Sequence, residues 1–349
     1  FCRQKCSYCK FALTPFVREF QIHQYLAYLS DEITIFFKGL SNEIKVKSVY
    51  FWGWTPSVLS LHQISTILKL FRNYTDSTCE FTLEVNPEDV TIEWAMWIKA
   101  LWINRVSLGV QSLQDQTLIK IGRGSREGII SALEILETCW FFSVNVDWIL
   151  GLPFVKLGQT KMDVITLLEK FRCITHMSVY YLEKWNYPKD WKNICMTEIE
   201  QNQEYSEIRS YLFKQNWNHY EISNFCVKGY ECRHNQSYWN HSPIRWFWLS
   251  AASYLPRDFF SHTSIQWISI QDQNLMILAW EMWIRFENSH TFSWYYNQQL
   301  LYKENLSSDS YFLEKWMFWL RTFSLSLSEV FLEMNPLLKE SRLNTFVSE

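Results

Sequence analysis

Apolar runs and amphipathic stretches alternate along the chain between residues 17 and 223. The apolar, β-branched runs predict strands at 46–51, 81–85, 105–110, 144–150, 177–182 and 218–223. Apolar positions that recur at a helical period predict helices at 17–39, 60–71, 91–101, 114–121, 131–138, 161–171 and 201–215. Strands and helices that alternate with short links are typical of a parallel α/β fold.

The pattern changes near residue 272 and predicts a second domain. Amphipathic stretches at 275–286 and 311–323 predict helices, so we expect a small, mainly helical C-terminal domain at 273–349. Before it, 226–272 opens with a loop rich in aromatic and polar residues, at 225–242, and we expect this segment to complete the site of the domain at 1–225.

Polar residues recur in phase within or just after the predicted strands. They are Thr55, Glu84, Gln111 and Asp147. In a β/α barrel the carboxyl ends of the strands form one face, where active sites lie. Each residue alone is as readily an ordinary cap or loop residue, but four in phase favour a site.

Three cysteines stand close together near the start of the chain. Cys2, Cys6 and Cys9 have the spacing CxxxCxxC, and thiolates are soft ligands that suit iron–sulfur clusters and zinc. Three ligands would hold three corners of a cubane and leave one iron open, whereas a structural zinc site needs a fourth ligand close by. The nearest candidates for that ligand are His23 and Cys79, and three buried or unligated cysteines remain the other alternative.

Composition narrows the class of protein. The 349 residues include 33 basic and 36 acidic side chains, which argues against a nucleic-acid surface built on bulk charge. The sequence shows no apolar run of about 18 residues, so we expect no transmembrane helix. Nine scattered cysteines predict reduced thiols and a cytoplasmic location. The chain begins within a motif and without Met, so we expect the true N-terminus to be missing.

These motifs resemble the radical S-adenosylmethionine (radical SAM) enzymes of the oxygen-independent coproporphyrinogen III oxidase group, and specifically their haem-chaperone relatives, the HemW family. The resemblance covers nearly the whole chain. The matching stretches are 1–9, 52–57, 84–87, 104–112, 122–123, 147–153, 158–160, 220–221, 234–239 and 246–253. The resemblance implies a partial (β/α)6 TIM-like barrel with a HemN-type C-terminal domain.

The resemblance also implies a ligand set. It makes Cys2, Cys6 and Cys9 the ligands of a 4Fe–4S cluster whose open iron takes S-adenosylmethionine. The residues that it assigns to S-adenosylmethionine are Gly53, Trp54, Thr55, Glu84, Gln111, Arg123, Asp147 and Ala252. In the oxidase branch a second S-adenosylmethionine contacts some of the same positions. No side chain is assigned a catalytic role.

Two features favour the chaperone branch over the oxidase. Phe11 stands where the oxidase has a further cysteine, and 234–239 fits the motif HNxxYW, which the resemblance associates with haem. His234 is therefore a candidate haem ligand, and a loop histidine bonded to backbone is the alternative. The implied partners are haem and haem-accepting apo-proteins, and we expect no binding of nucleic acid. We also expect contact with a membrane surface and a monomeric or dimeric state.

Two other functions stay open at this point. One is a true oxidase that decarboxylates coproporphyrinogen III in haem biosynthesis. The other is an inactive homologue that acts as a binding protein, and whether the chain is an enzyme is left undecided.

Tryptophan replaces glycine at positions where the family has glycine. The chain holds 19 Trp and only 9 Gly. The positions are Trp52, Trp54, Trp102, Trp140, Trp217, Trp246, Trp248 and Trp283. A ligand-cradling turn needs glycine for close backbone approach and positive φ. We hypothesise that UGA codons at these positions are read as glycine in the source; UGG codons would refute this.

Overall fold

The computed structural model describes residues 2, 5–9, 19–38, 40, 44–52, 56–182, 188–240, 242–247, 252–256, 283–288 and 300–306. The chain forms two compact units. The first comprises Phe1–Thr34, Asn42–His219 and Ser223–His234, and the second comprises Ile35–Ser41, Tyr220–Ile222 and Asn235–Glu349.

A seven-stranded sheet organises the first unit. Its strands are β1 (Ser48–Phe51), β2 (Glu80–Val85), β3 (Arg105–Gln111), β4 (Val144–Leu150), β5 (Ile174–Tyr181), β6 (Trp217–His219) and β7 (Asn224–Val227). They lie in the order β1-β2-β3-β4-β5-β7-β6, and β1 to β5 are parallel. The predicted parallel α/β fold is therefore confirmed.

The sheet edge differs from the prediction in one detail. Instead of a sixth parallel strand at 218–223, the chain forms β6 and then reverses, so that β7 pairs antiparallel with both β5 and β6. Phe225 and Cys226 of β7 are fully buried beside β5. The predicted strand ends at residue 223 and would leave these two apolar side chains outside the sheet. The reversal buries them instead.

Helices connect the strands of this sheet. They are α1 (Glu19–Lys38), α2 (Leu61–Phe71), α3 (Ile92–Ala100), α4 (Asp115–Ile121), α5 (Arg126–Thr138), α6 (Gln159–Lys170), α7 (Glu198–Lys214) and α8 (Arg233–Trp239). Local caps fix several starts: Ser60 and Gln63 form a capping box at α2, and Thr197 and Glu200 form one at α7. Most of these helices match the predicted ones to within a few residues.

The strands of this sheet have one apolar and one polar face. Because side chains alternate along a strand and neighbouring strands are in register, residues of like character line up across the sheet. The buried apolar face carries Leu83, Val85, Val106, Leu108, Val146, Trp148, Met177 and Val179. The opposite face, here called the polar face, carries Tyr50, Glu80, Thr82, Glu84, Arg105, Ser107, Asn145, Asp147, His176 and Ser178.

A small antiparallel sheet belongs to the second unit. Its strands are β8 (Ala252–Pro256), β9 (Trp283–Asn288) and β10 (Leu300–Leu306), in the order β10-β9-β8. The helix predicted at 275–286 is wrong over its last four residues, which lie in β9. The alternation Ile284-Arg285-Phe286-Glu287 satisfies a strand period as well as a helical one over so short a run. The helix predicted at 311–323 lies outside the described residues.

Three helices end in the same backbone turn. After α4, Gly122 takes a φ of +74°, and the N–H of Arg123 bonds back to the carbonyl of Leu118 at 2.8 Å. After α3 and α5, Trp102 and Trp140 take φ values of 74° and 61°, followed by the same type of hydrogen bond. This left-handed position is where helices favour glycine, so the geometry supports the glycine hypothesis at both tryptophans.

Trp217 behaves differently. It is buried within β6, whereas the positive φ at the end of α7 belongs to Asn216, at 60°. The backbone at position 217 therefore does not itself require glycine, and the glycine hypothesis there stays a prediction from the motif.

Replacing either helix-terminal tryptophan by glycine should stabilise the protein. Trp102→Gly and Trp140→Gly each remove left-handed strain of about 1 kcal/mol, and both side chains are 67% exposed, so little packing is lost. Urea unfolding measures the gain. Trp217→Gly is the matched control and should destabilise the protein, because it empties a buried position. A loss of stability in Trp102→Gly would contradict the assignment.

Candidate cluster and cofactor site at the strand ends

The carboxyl end of β3 carries an unusual backbone turn. The register between β3 and β4 shifts between Gly109 and Gln111, and Gln111 takes a φ of 66°. Gln111 is buried, and the N–H of Ser112 closes a tight turn on the carbonyl of Val110 at 2.8 Å. Left-handed backbone at a residue other than glycine costs free energy and is concentrated at functional sites, which fits the predicted role of Gln111.

Arg123 joins two strand ends. Its Nη2 donates to the carbonyl of Gly109 at 2.6 Å, and its Nη1 donates to Oδ1 of Asn86 at 2.5 Å. A Cβ atom on Gly109 would lie 2.5 Å from Nη2. Glycine at position 109 is therefore required for the guanidinium to occupy this place.

The cysteine loop docks on the end of α4. The N–H of Ser7 bonds to the carbonyl of Ile121 at 3.1 Å, and Sγ of Cys6 lies 3.6 Å from the carbonyl of Gly122. Within the loop, the N–H of Cys9 bonds to the carbonyl of Cys6 at 3.1 Å. The turn that ends α4 thus holds this loop beside Arg123, the next residue in the chain.

Charge links Arg123 to the cysteine loop. Burial raises the pKa of Tyr8 well above its usual value, and the positive charge of Arg123 opposes this rise. Burial lowers the pKa of Arg123, but Tyr8 and Cys6 raise it, so that it stays above its ordinary value. A cation held here would stabilise thiolates and the negative charge of a cluster that they bind.

Cys2, Cys6 and Cys9 are all half-buried. None of the nine cysteines, all of which are among the described residues, is in a disulfide. As they stand, no three His, Cys, Asp or Glu side chains within the described part of the chain are placed to hold a metal ion. The donor chemistry nevertheless fits an iron–sulfur cluster, because thiols are present on a docked loop beside a fixed cation.

Asp147 lies in a hydrogen-bonded network on the polar face. Its carboxylate accepts bonds from Oγ of Ser107 at 3.0 Å and from Nδ2 of Asn145 at 2.9 Å. Burial raises the pKa of Asp147, while these hydrogen bonds oppose the shift. The network fixes the orientation of the carboxylate, which suits it to accept a bond from a ligand hydroxyl or ammonium group.

His176 completes this network from β5. Its Nδ1 lies 2.7 Å from Oδ1 of Asn145, and its side chain is fully buried. Burial, with the charge of Arg105, lowers the pKa of His176 well below its usual value. The imidazole is therefore neutral at physiological pH.

A second group on the polar face joins Glu84 to His234. The hydroxyl of Tyr50 donates to Oε1 of Glu84 at 3.1 Å, and the ring of Tyr50 lies 4.8 Å from that of His234. His234 is 9% exposed, and burial, with the charge of Arg105, lowers its pKa to about 4. Its imidazole is thus neutral, which is the form that can ligate a metal.

The helix that carries His234 lies where the sequence predicts a loop, at 225–242. The carboxylate of Glu80, on β2, accepts bonds from the backbone N–H groups of Arg233 at 3.0 Å and of His234 at 3.2 Å. This carboxylate caps the start of α8 from a distant strand, so the cap is invisible in the local sequence.

The structure brings most, but not all, of the predicted residues into the first unit. Those described there are Cys2, Cys6, Cys9, Glu84, Gln111, Arg123, Asp147 and His234. Gly53, Trp54 and Thr55 lie outside the described residues, and Ala252 begins β8 in the second unit. Sequence reasoning missed Tyr50, Asn86, Ser107, Asn145 and His176. The period-two spacing of Arg105, Ser107, Asn145 and Asp147 was the available signal for a polar face.

The comparisons with known proteins define the class. The family model of the radical SAM superfamily matches residues 1–162. The fold is similar to that of coproporphyrinogen III oxidase (HemN) from Escherichia coli, with a TM-score of 0.72 at 17% identity. That match covers 97% of this chain and 81% of the other. Residues 1–162 thus form a radical SAM domain.

Sequence relatives define the family more closely. Heme chaperone HemW of Lactococcus lactis is 32% identical over 272 residues, which are 73% of this chain and 68% of the relative. HemW of Bacillus subtilis is 27% identical over 267 residues, covering 73% of this chain and 69% of the relative. A bovine mitochondrial radical SAM domain-containing protein 1 is 29% identical over 255 residues, or 68% of this chain and 55% of that protein. The chain belongs to the HemW family of radical SAM proteins.

Family membership confirms the resemblance drawn from the motifs. It implies a 4Fe–4S cluster and S-adenosylmethionine as cofactors. In the described part of the chain, no helix has the length and hydropathy needed to span a bilayer.

Adding a methyl group at Gly109 should disturb the site through Arg123. In Gly109→Ala the new Cβ would displace the guanidinium, so we expect S-adenosylmethionine to bind about tenfold more weakly, the effect of losing one charged hydrogen bond. Calorimetry on reconstituted protein measures this. Gly128→Ala is the control, because its Cβ would lie 3.5 Å from its nearest neighbour. Equal affinities in the two variants would contradict the role of Arg123.

His176 should make stability depend on pH. Its folded pKa is depressed, so the unfolded chain takes up a proton below about pH 6.5 while the folded protein does not. The contribution of His176 to stability therefore falls with falling pH, by at most about 2 kcal/mol between pH 7 and pH 5. Urea unfolding of His176→Gln should show a smaller loss than the parent protein over this range, whereas exposed His62→Gln should behave as the parent protein. An unchanged loss in His176→Gln would refute the assignment.

Proposed function

We propose that this protein binds haem and delivers it to apo-proteins, with a 4Fe–4S cluster and S-adenosylmethionine as cofactors. The observation that carries the proposal is the 32% identity to a heme chaperone HemW over 272 residues. The motif that contains His234 lies within a helix fixed to the sheet by Glu80. Haem and haem-accepting apo-proteins are the proposed partners.

The cysteine loop would hold the cluster. Cys2, Cys6 and Cys9 supply thiolates, and Tyr8, which is half-buried, stands between the last two of them in the sequence. A 4Fe–4S cluster with an open iron supplies one-electron reduction of S-adenosylmethionine. The chain's own part is to hold the loop on α4 and to keep a positive charge, that of Arg123, beside it.

Side chains at the strand ends would bind S-adenosylmethionine. Glu84 would accept a bond from the ammonium group, and Arg123 would pair with the carboxylate. Asp147 is held in place by Ser107 and Asn145, so its carboxylate would receive a ribose hydroxyl without rearrangement. Gln111 would contribute its amide from the turn at the end of β3. Gly53, Trp54, Thr55 and Ala252 remain predicted contacts.

His234 would provide the axial ligand to haem iron. Burial keeps its imidazole neutral, which fits ligation. Its side chain is only 9% exposed and packs against Tyr50, so the imidazole must turn outward for haem to reach it. A cytoplasmic location, contact with a membrane surface and a monomeric or dimeric state stay predictions.

Anaerobic reconstitution tests the proposal. Protein treated with iron and sulfide should gain the broad absorbance of a 4Fe–4S cluster, and Cys6→Ala should lose it because a ligand is missing. Cys139→Ala, which removes another half-buried thiol, should keep it. Haem added to the reconstituted protein should give a Soret band that weakens in His234→Ala, with no conversion of coproporphyrinogen III.

Other outcomes would select another function. Conversion of coproporphyrinogen III would make the protein an oxidase. A protein with intact fold that gains neither cluster nor haem would be an inactive homologue, as the tryptophans in its turns suggest when taken literally.

A further inference from the structure

Tyr50 contacts two residues that the proposed function assigns to different ligands. Its hydroxyl donates to Oε1 of Glu84, the proposed partner of S-adenosylmethionine, at 3.1 Å. Its ring lies 4.8 Å from the imidazole of His234, the proposed haem ligand, with the two planes inclined by 42°. One side chain on β1 therefore spans the two proposed sites.

The hydrogen bond from Tyr50 to Glu84 persists over the physiological pH range. Burial raises the pKa of Tyr50 well above its usual value, and the nearby carboxylate of Glu84 raises it further. Arg105 opposes this shift, and Cys232 and Asp147 add to it. The hydroxyl thus remains a donor that orients one oxygen of Glu84.

Hydrogen bonds hold the backbone at His234 in place, so the backbone cannot easily move outward together with the imidazole. Glu80 holds the N–H groups of Arg233 and His234, and Sγ of Cys232 lies 3.4 Å from the same carboxylate. Because the start of α8 is pinned in this way, exposure of the imidazole has to come from rotation of the side chain. That rotation removes the ring contact between His234 and Tyr50.

We propose that Tyr50 couples the two sites negatively: haem ligation by His234 weakens binding of S-adenosylmethionine at Glu84. The proposal rests on the proposed function. Rotation of His234 removes a ring neighbour of Tyr50, and Glu84 loses the hydrogen bond from the Tyr50 hydroxyl when that ring shifts. By thermodynamic linkage, bound S-adenosylmethionine must weaken haem binding by the same factor.

The coupling would make haem uptake and haem release depend on whether S-adenosylmethionine is bound. Without S-adenosylmethionine, His234 turns outward at lower cost and haem is taken up. When S-adenosylmethionine binds, Tyr50 and Glu84 are held together and His234 is drawn back into contact with the ring, which favours haem release. Tyr50 acts here as a positioning residue, since it contacts neither haem nor S-adenosylmethionine in this scheme.

Paired binding measurements test the coupling. On anaerobically reconstituted protein, haem is titrated through its Soret band with and without saturating S-adenosylmethionine. We expect the haem Kd to rise by about fivefold or more when S-adenosylmethionine is present. In Tyr50→Phe, which keeps the ring and loses the hydroxyl, both ligands should still bind and the ratio should fall towards 1. The exposed Tyr230→Phe should keep the parental ratio.

Three outcomes of these titrations would overturn different parts of the proposal. Parent protein that binds both ligands with a ratio near 1, or with tighter haem binding when S-adenosylmethionine is present, overturns the coupling and leaves the proposed function intact. A parental ratio in Tyr50→Phe overturns the role of Tyr50. Parent protein that binds no haem overturns the proposed function and the coupling together, and the Soret titration without S-adenosylmethionine identifies that case.

Discussion

The hydrogen bonds of one guanidinium tie the candidate site together. Arg123 reaches the carbonyl of Gly109 on β3 and the side chain of Asn86 after β2, and its charge acts on Tyr8 and Cys6. The turn that ends α4 places Arg123 and receives the cysteine loop. The arrangement of the loop and the strand ends thus includes a half-buried cation that has room only because residue 109 is glycine.

On the polar face of the seven-stranded sheet, neutral imidazoles and carboxylates lie close together. Parallel register places polar side chains from β1 to β5 on one face, where they satisfy one another: Tyr50 with Glu84, and Ser107 and Asn145 with Asp147. Burial on this face keeps the histidines neutral. Neutral imidazoles and fixed carboxylates are the groups needed for metal ligation and for binding a cationic cofactor.

Much of the fold could be predicted because it rests on local periodicity. The five parallel strands and most helices follow from apolar runs and caps such as Ser60. The hairpin of β6 and β7 and helix α8 could not be predicted, because their stability comes from distant partners: the buried contact beside β5 and the Glu80 carboxylate. The site residues came from motif resemblance, whereas Tyr50 and Asn145 became visible only through register.

Two tryptophans adopt left-handed backbone where a third helix has glycine, so the same turn forms at these helix ends even where the residue is unusual. The central claim is that the cysteine loop holds a 4Fe–4S cluster whose open iron binds S-adenosylmethionine. Electron paramagnetic resonance of the reduced, reconstituted protein tests it most directly. The account predicts a 4Fe–4S signal whose g-values shift when S-adenosylmethionine is added. A cluster signal that S-adenosylmethionine leaves unchanged would contradict it.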